Sequence, residues 1–278
     1  MPGSGLPGAS DLSDNPFNPN GDAMSHAALP DTAPASTSAI AQAAPNPANG
    51  PSARFFAEVG IVPGMRVLDV GCGNGDLSRF VARLVGPDGE VIAIDQNPEA
   101  MAISRTADAG LQGAPIDYRQ ADLADVLPDL GRFDAIVGRR VLMYLPDATA
   151  TLARLAAIAK PGAIMAFQEH GRARLPPGLG ELSLHRWLYD WLWDTVAAEG
   201  GDTGLALRLA DLLQAAGHGI EVARSEGVLL QAGKPSFLPA LARAMLPRMV
   251  ERGVASTNEI GLDTLADRLR DEHERLAA

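Results

Sequence analysis

A single cysteine, Cys72, stands in the 278 residues. No disulfide can form within the chain, and a reducing compartment, the cytoplasm, is the expected setting. Lys and Arg are missing altogether from residues 1–50, so neither a secretory signal nor a mitochondrial transit peptide is expected there, since both need basic residues. That stretch is rich in Pro, Ala, Ser, Asn and Gly, and too little of it is apolar to offset the entropy of ordering it. It is expected to be a disordered tail, with Met24 as an alternative start and closure over an active site as the competing reading. No apolar run approaches the roughly 18 residues of a membrane span, so no membrane partner is expected. Excess positive charge is lacking too: a net charge of -11 argues against gripping a phosphate backbone, and hence against a nucleic-acid partner. Spacing among His26, His170, His185, His218 and His273 matches no metal-ligand motif, and no metal is expected.

What the chain does have is apolar material, 46% of its residues, enough for one large domain over residues 51–278. That domain is organised around Val67-Leu68-Asp69-Val70-Gly71-Cys72-Gly73-Asn74-Gly75-Asp76. Arg66 to Val70 has the length and apolar character of a strand buried on both faces. Three glycines follow at alternate positions. Asp76, Leu77, Phe80, Val81, Leu84 and Val85 then give the spacing of a helix with one apolar face. Strand, glycine loop and helix open a nucleotide-type site, in which a ligand can press against bare N–H groups at a helix N-terminus. A dinucleotide fingerprint needs a small residue at the sixth loop position. Asp76 occupies it, which weighs against a nicotinamide-dependent oxidoreductase.

Four further anchors follow in order. Val91-Ile92-Ala93-Ile94-Asp95-Gln96 is an apolar run ending in an acid, about 20 residues beyond the last loop glycine. Tyr118-Arg119-Gln120-Ala121-Asp122-Leu123, Phe133-Asp134-Ala135-Ile136-Val137-Gly138-Arg139 and Lys160-Pro161-Gly162-Ala163-Ile164-Met165-Ala166-Phe167 complete the set. With the G-x-G-x-G loop and Asp69 two residues before it, these five stretches over residues 64–170 resemble the motifs of the class I S-adenosylmethionine-dependent methyltransferases. The resemblance is to the small-molecule group typified by ubiquinone and menaquinone biosynthesis methyltransferases. It implies a Rossmann-like, mostly parallel α/β sheet with helices on both faces. The implied cofactor is S-adenosylmethionine, with S-adenosylhomocysteine as product.

The resemblance also implies roles. Asp69 and the backbone of Gly71, Cys72 and Gly73 would lie along the methionine end. Asp95, followed by Gln96, would take the ribose diol, Asp122 the adenine amino group with the Leu123 N–H nearby, and a carbonyl of Gly138 or Arg139 the ammonium. No His or Asn is placed to make Cys72 a nucleophile. The tetrapeptide of amino-methylating DNA and protein-glutamine enzymes is absent after Arg139, which favours an oxygen or carbon acceptor over nitrogen. His170, at the end of the fifth strand, is the general-base candidate because it titrates near neutrality; a surface or hydrogen-bonding histidine is the alternative. Arg140 is a candidate for binding an acidic acceptor and Tyr144 for lining its pocket. An RNA or protein acceptor, or a non-methylating cyclase that only binds the cofactor, remain as rival functions.

The rest of the chain frames this core. Asn97-Pro98-Glu99 reads as a helix start with an N-cap and a first-turn proline, and Pro146-Asp147 opens another. Residues 171–217 are expected to form a helical cap insertion after a Pro176-Pro177-Gly178 loop. Its stripe of Leu184, Trp187, Leu188, Trp191, Leu192 and Thr195 packs either on the core or, with Trp187 and Trp191, over the acceptor pocket. Ile220 to Gln231 reads as a strand interrupted near Gly227, followed by helices over 236–250 and from Asp263. The family's closing antiparallel strand would come after the last helix. Either a hairpin around Gly227 supplies it or the sheet is one strand short, and the shorter sheet is the expectation. Leu238, Leu241, Met245 and Met249 share a helical face that would serve a homodimer as well as a core.

Overall fold

The computed structural model describes residues 49–108, 110–123, 125, 130–172, 182–227 and 236–277. Its centre is a five-stranded parallel sheet in the order β3-β2-β1-β4-β5, with β1 at Arg66–Val70, β2 at Glu90–Asp95, β3 at Ile116–Gln120, β4 at Phe133–Arg139 and β5 at Ala159–Gln168. In β1 the four residues from Val67 to Val70 are buried, as are the four from Val91 to Ile94 in β2. Continuous apolar runs suit strands covered on both faces. Strand order reverses between β1 and β4, whose C-terminal ends therefore flank a crevice that no crossover connection fills.

Helices α1 (Asn49–Glu58), α2 (Asp76–Val85) and α3 (Pro98–Ala107) each accompany an early strand. Asn97 caps α3 by accepting the Glu99 and Ala100 N–H groups, and Pro98 opens its first turn, as its sequence requires. Phe56, Val81 and Val85 join Val67, Ala135 and Val137 in one apolar layer. The opposite layer is larger. It unites Leu68, Ile92 and Ile136 with α4 (Ala148–Ala157), capped by Asp147, and with the helices that follow β5.

Those helices are α5 (Ser183–Ala198), α6 (Leu209–Ala215), α7 (Leu238–Glu251), the short α8 (Thr257–Ile260) and α9 (Leu262–Ala277). Ser256 and Glu259 form the capping box that opens α8. Met245 and Met249 are buried, and Leu238 and Leu241 pack against the same cluster, so this face of α7 is spent on the core. Glu272 of α9, 4% exposed, accepts the Leu184 N–H at 2.7 Å and the His185 N–H at 3.0 Å, capping α5 from a distant helix.

One expectation changes. Residues 220–227 form no strand and are largely exposed; their apolar residues are isolated between charged ones, so no face is available for burial. Residues 228–231, the loop at 176–178 and residues 1–48 lie outside the described residues. Among those described, the sheet has five strands, all parallel. β5 starts one residue before Lys160 and skips register between Phe133↔Ala159 and Ala135↔Ile164. Lys160 to Ala163 bulge there because Pro161 has no N–H to pair and Gly162 takes a φ of 78°.

Candidate active site

The glycine loop after β1 is folded by its own backbone. Cys72 donates its N–H to the Ile94 carbonyl at 3.0 Å and accepts the Gly75 N–H at 2.9 Å. Gly71 and Gly73 both adopt positive φ, 66° and 52°. A Cβ on Gly71 would overlap the Val141 side chain, whereas a Cβ on Gly73 would meet nothing within 4 Å. Gly71 is thus a packing glycine, and Gly73 leaves open space where a side chain would stand. The Cys72 side chain points inward among Ala93, Met101 and Tyr118. Burial and the charges of Asp69 and Asp95 push its thiol far above the ordinary range, so it is held protonated.

Asp95 stands across from that opening. One carboxylate oxygen accepts the Gly73 N–H at 2.8 Å and the other the Asn97 N–H at 2.8 Å. Each oxygen keeps a further lone pair, and the side chain is half-buried. The Asp95 carbonyl accepts the Ala121 N–H at 3.0 Å, which holds Asp122 and Leu123 beside the end of β2. Asp122 is exposed, and the Leu123 carbonyl is fixed by the Arg154 guanidinium at 3.0 Å. Gln96 is exposed, its carbonyl accepting from Gln120 at 3.2 Å.

Asp69 lies beneath the loop at 1% exposure. Its Oδ2 accepts the Ser78 hydroxyl at 2.6 Å, and its Oδ1 is buried with no partner. Burial pushes its carboxyl up to about 7, against the Ser78 hydrogen bond and the Arg139 charge, which pull it down. A buried acceptor without a partner marks a place where a donor is expected. An acid with a free oxygen and a glycine with open space beside it stand at the end of β1, and a carboxylate with spare lone pairs at the end of β2. Together they fit a cationic, nucleoside-bearing ligand such as S-adenosylmethionine. A cavity of about 240 Å³ opens on the far side of the loop, between α1 and α2, lined by Asn49, Ser52, Phe56, Asp76, Phe80 and Arg139. It borders the Asp76 end of the loop, not Asp95.

At the end of β4 the chain turns sharply. Gly138 packs under Phe167, where a Cβ would come within 2.8 Å of the ring. Arg139 donates to Asn49 at 3.2 Å and lies 3.8 Å from Asp76. Arg140 is the one described non-glycine residue with positive φ, 59°. Its N–H is held by the Gln168 carbonyl at 2.8 Å. Glu169 secures the following turn: its Oε1 accepts the Val141 and Leu142 N–H groups at 3.0 and 2.9 Å, while its Oε2 is buried without a partner. Burial pushes the Glu169 carboxyl up to about 7, opposed by those backbone bonds and the Arg140 charge.

His170 is half-buried next to this turn. Burial, with the charges of Arg140 and Arg139, pushes its imidazolium down to about 4, so it is neutral at pH 7. Tyr144 is 45% exposed on the 3-10 turn Leu142–Tyr144. Of the two tryptophans expected over the pocket, Trp191 packs against the main core cluster, whereas Trp187 is half-buried and lies outside that cluster. Sequence reasoning missed the clamp by Glu169 and the left-handed Arg140. The only available signal was an acid at the end of an apolar strand.

Residues 61–216, more than half of the chain, match the family described as methyltransferase domain. A ubiquinone biosynthesis O-methyltransferase of Xanthomonas axonopodis pv. citri is 40% identical over 102 residues, 36% of this chain and 40% of that protein. A protein of the same name from Hahella chejuensis is 34% identical over 120 residues, 42% of this chain and 48% of that one. The chain thus spans less than half the length of these curated relatives. Among solved structures, a putative sarcosine dimethylglycine methyltransferase from Galdieria sulphuraria is 14% identical with a TM-score of 0.51, covering 82% of this chain and 80% of that one. That is a likeness of fold alone.

Proposed function

Because the chain belongs to the methyltransferase-domain family, with the class I fold and S-adenosylmethionine as its cofactor, we propose that it methylates a small-molecule acceptor, at oxygen in preference to carbon. The observation that carries this reading is the open space at the Cβ position of Gly73 beside an Asp95 carboxylate whose two oxygens each carry a single protein hydrogen bond. The names of the curated relatives, O-methyltransferases of ubiquinone biosynthesis, support oxygen and a small molecule.

When bound, the cofactor supplies an electrophilic methyl group on a sulfonium. The protein's share is then to bind, orient and exclude water. Asp95 would accept from the ribose hydroxyls, and Asp122 with the Leu123 N–H would read the adenine edge. Asp69 and a carbonyl of Gly138 or Arg139 would face the cationic methionine end. His170, neutral at pH 7, would accept a hydrogen bond from the acceptor hydroxyl and aim its lone pair. With a conjugate acid near 4 it is too weak a base to remove that proton fully before transfer. Arg140 and Tyr144, at the ends of β4 and its turn, would border the acceptor, with Trp187 as the half-buried indole of the cap.

Asp95→Ala tests the reading. Losing a charged acceptor for two hydroxyls removes about 1.5–3 kcal/mol per bond. Calorimetric affinity for S-adenosylhomocysteine should fall at least about tenfold. Unchanged affinity would remove Asp95 from the site.

A further inference from the structure

Two arginines end β4, and the fold treats them differently. Arg139 is tied to Asn49 and Asp76, on the side of α1 and α2. The Arg140 side chain makes no hydrogen bond or ion pair among the described residues. It is half-buried all the same. Tyr144, Asp76 and Glu169 lie within reach of its charge, as does His170. Arg140 therefore stands where the turn after β4, the end of β5 and the Asp76 end of the glycine loop meet.

This position is expensive to maintain. A guanidinium withdrawn from water without a counter-ion is unfavourable, and so is a left-handed backbone at a residue with a Cβ. Glycine would adopt a φ of 59° without strain and would remove the buried charge as well. The chain instead fixes the conformation at both ends. Gln168 holds the Arg140 N–H, and Glu169 holds the two N–H groups that follow. No carboxylate comes within ion-pair distance of the guanidinium among the described residues: Asp76 and Glu169 act on it only from longer range, and burial keeps the Glu169 carboxyl partly protonated at pH 7.

A planar fork of donors, half-buried near His170 and Tyr144, suits a carboxylate, which it can meet with two parallel bonds. A phosphate dianion would need a second unengaged cation, and Arg139 is already paired. We propose that the methyl acceptor is a carboxylic acid whose carboxylate binds Arg140, which sets its nucleophilic oxygen beside His170. This rests on the methyl-transfer reading above. Arg140 is thereby a specificity-determining residue, and the strain at its backbone is what aims it.

The test uses the full chain, S-adenosylmethionine with a deuterated methyl group and a deproteinised metabolite extract. Labelled products are separated on an anion exchanger at pH 8 and weighed by mass spectrometry. A labelled product retained as an acid is expected; labelled products found only in the unretained fraction overturn the proposal. Absence of any labelled product while S-adenosylhomocysteine still binds refutes the methyl-transfer reading, and the proposal falls with it. Arg140→Gly relieves the backbone strain, so the variant folds. It should raise the KM for the purified acid at least about tenfold and leave S-adenosylhomocysteine affinity unchanged by calorimetry. Arg140→Lys should recover part of the loss. If Arg140→Gly instead weakens S-adenosylhomocysteine, the arginine serves the cofactor's own carboxylate and the proposal is wrong.

Discussion

Asp69→Asn separates the contribution of a buried charge from everything else at the site. Asp69 is enclosed, with one oxygen bonded to Ser78 and the other to nothing. Its pKa rises from 3.8 in the unfolded reference to about 7 in the fold. Between those values the native state keeps a proton that the unfolded chain has released. The carboxyl's contribution is therefore most favourable below pH 4, erodes as pH rises and levels off above 7. From pH 5 to pH 8 the native carboxyl is carried through about two units of its shift, which at 1.36 kcal/mol per unit is about 3 kcal/mol. Asparagine has no such dependence, and its carbonyl can still accept the Ser78 hydroxyl. Any fixed cost of an unpaired amide is equal at both pH values and cancels. Glu169 and His170 titrate in both proteins and cancel too. Urea denaturation of both proteins at pH 5 and pH 8 should show the wild type losing about 3 kcal/mol relative to the variant. Parallel stability profiles for the two would mean that Asp69 is ionised or solvated in the fold, and the reasoning from burial fails.

Three further outcomes follow from the packing. Gly71→Ala should cost about 1–3 kcal/mol of stability by thermal denaturation, from overlap with Val141 at an unfavourable φ. Gly73→Ala, with open space around it, should cost only about 1–2 kcal/mol yet obstruct S-adenosylhomocysteine in calorimetry. Glu272→Ala should remove about 3–5 kcal/mol, because four donors at the start of α5 lose a buried carboxylate; intact stability in urea would make that cap incidental.

The parallel sheet and its loop were legible because their signals are local. Apolar runs of strand length, glycines at alternate positions and Asn97-Pro98-Glu99 each determine their own conformation. The misreading at 220–227 has the same origin: apolar residues near a strand period were counted without knowing that no neighbouring strand edge would receive them. Arg140 and Glu169 were adjacent to recognised anchors, but a left-handed turn after β4 arises from contacts with Gln168 and Glu169 nearly thirty residues later. No periodicity records such contacts. The tryptophan stripe marked the helix correctly, although its rotation, with Leu184 and Leu188 inward and Trp187 to one side, depends on where α7 and α9 come to rest.

The Glu272 clamp has a consequence for the order of assembly. The bonds that shape the cofactor loop close short stretches of chain, 9 residues from Asp69 to Ser78 and 22 from Gly73 to Asp95. Those that seat α5 span 88 residues from Leu184 to Glu272 and 49 from Glu199 to Arg248. Contacts at larger separation carry a greater loop-closure entropy and form more slowly. During synthesis, β1, β2 and their loop can pair as soon as they emerge, whereas α5 waits for α9 with its first turn uncapped. A growing chain would thus acquire its glycine-loop half early and its helical half last, leaving the apolar face of α5 as the surface that a chaperone would meet in between.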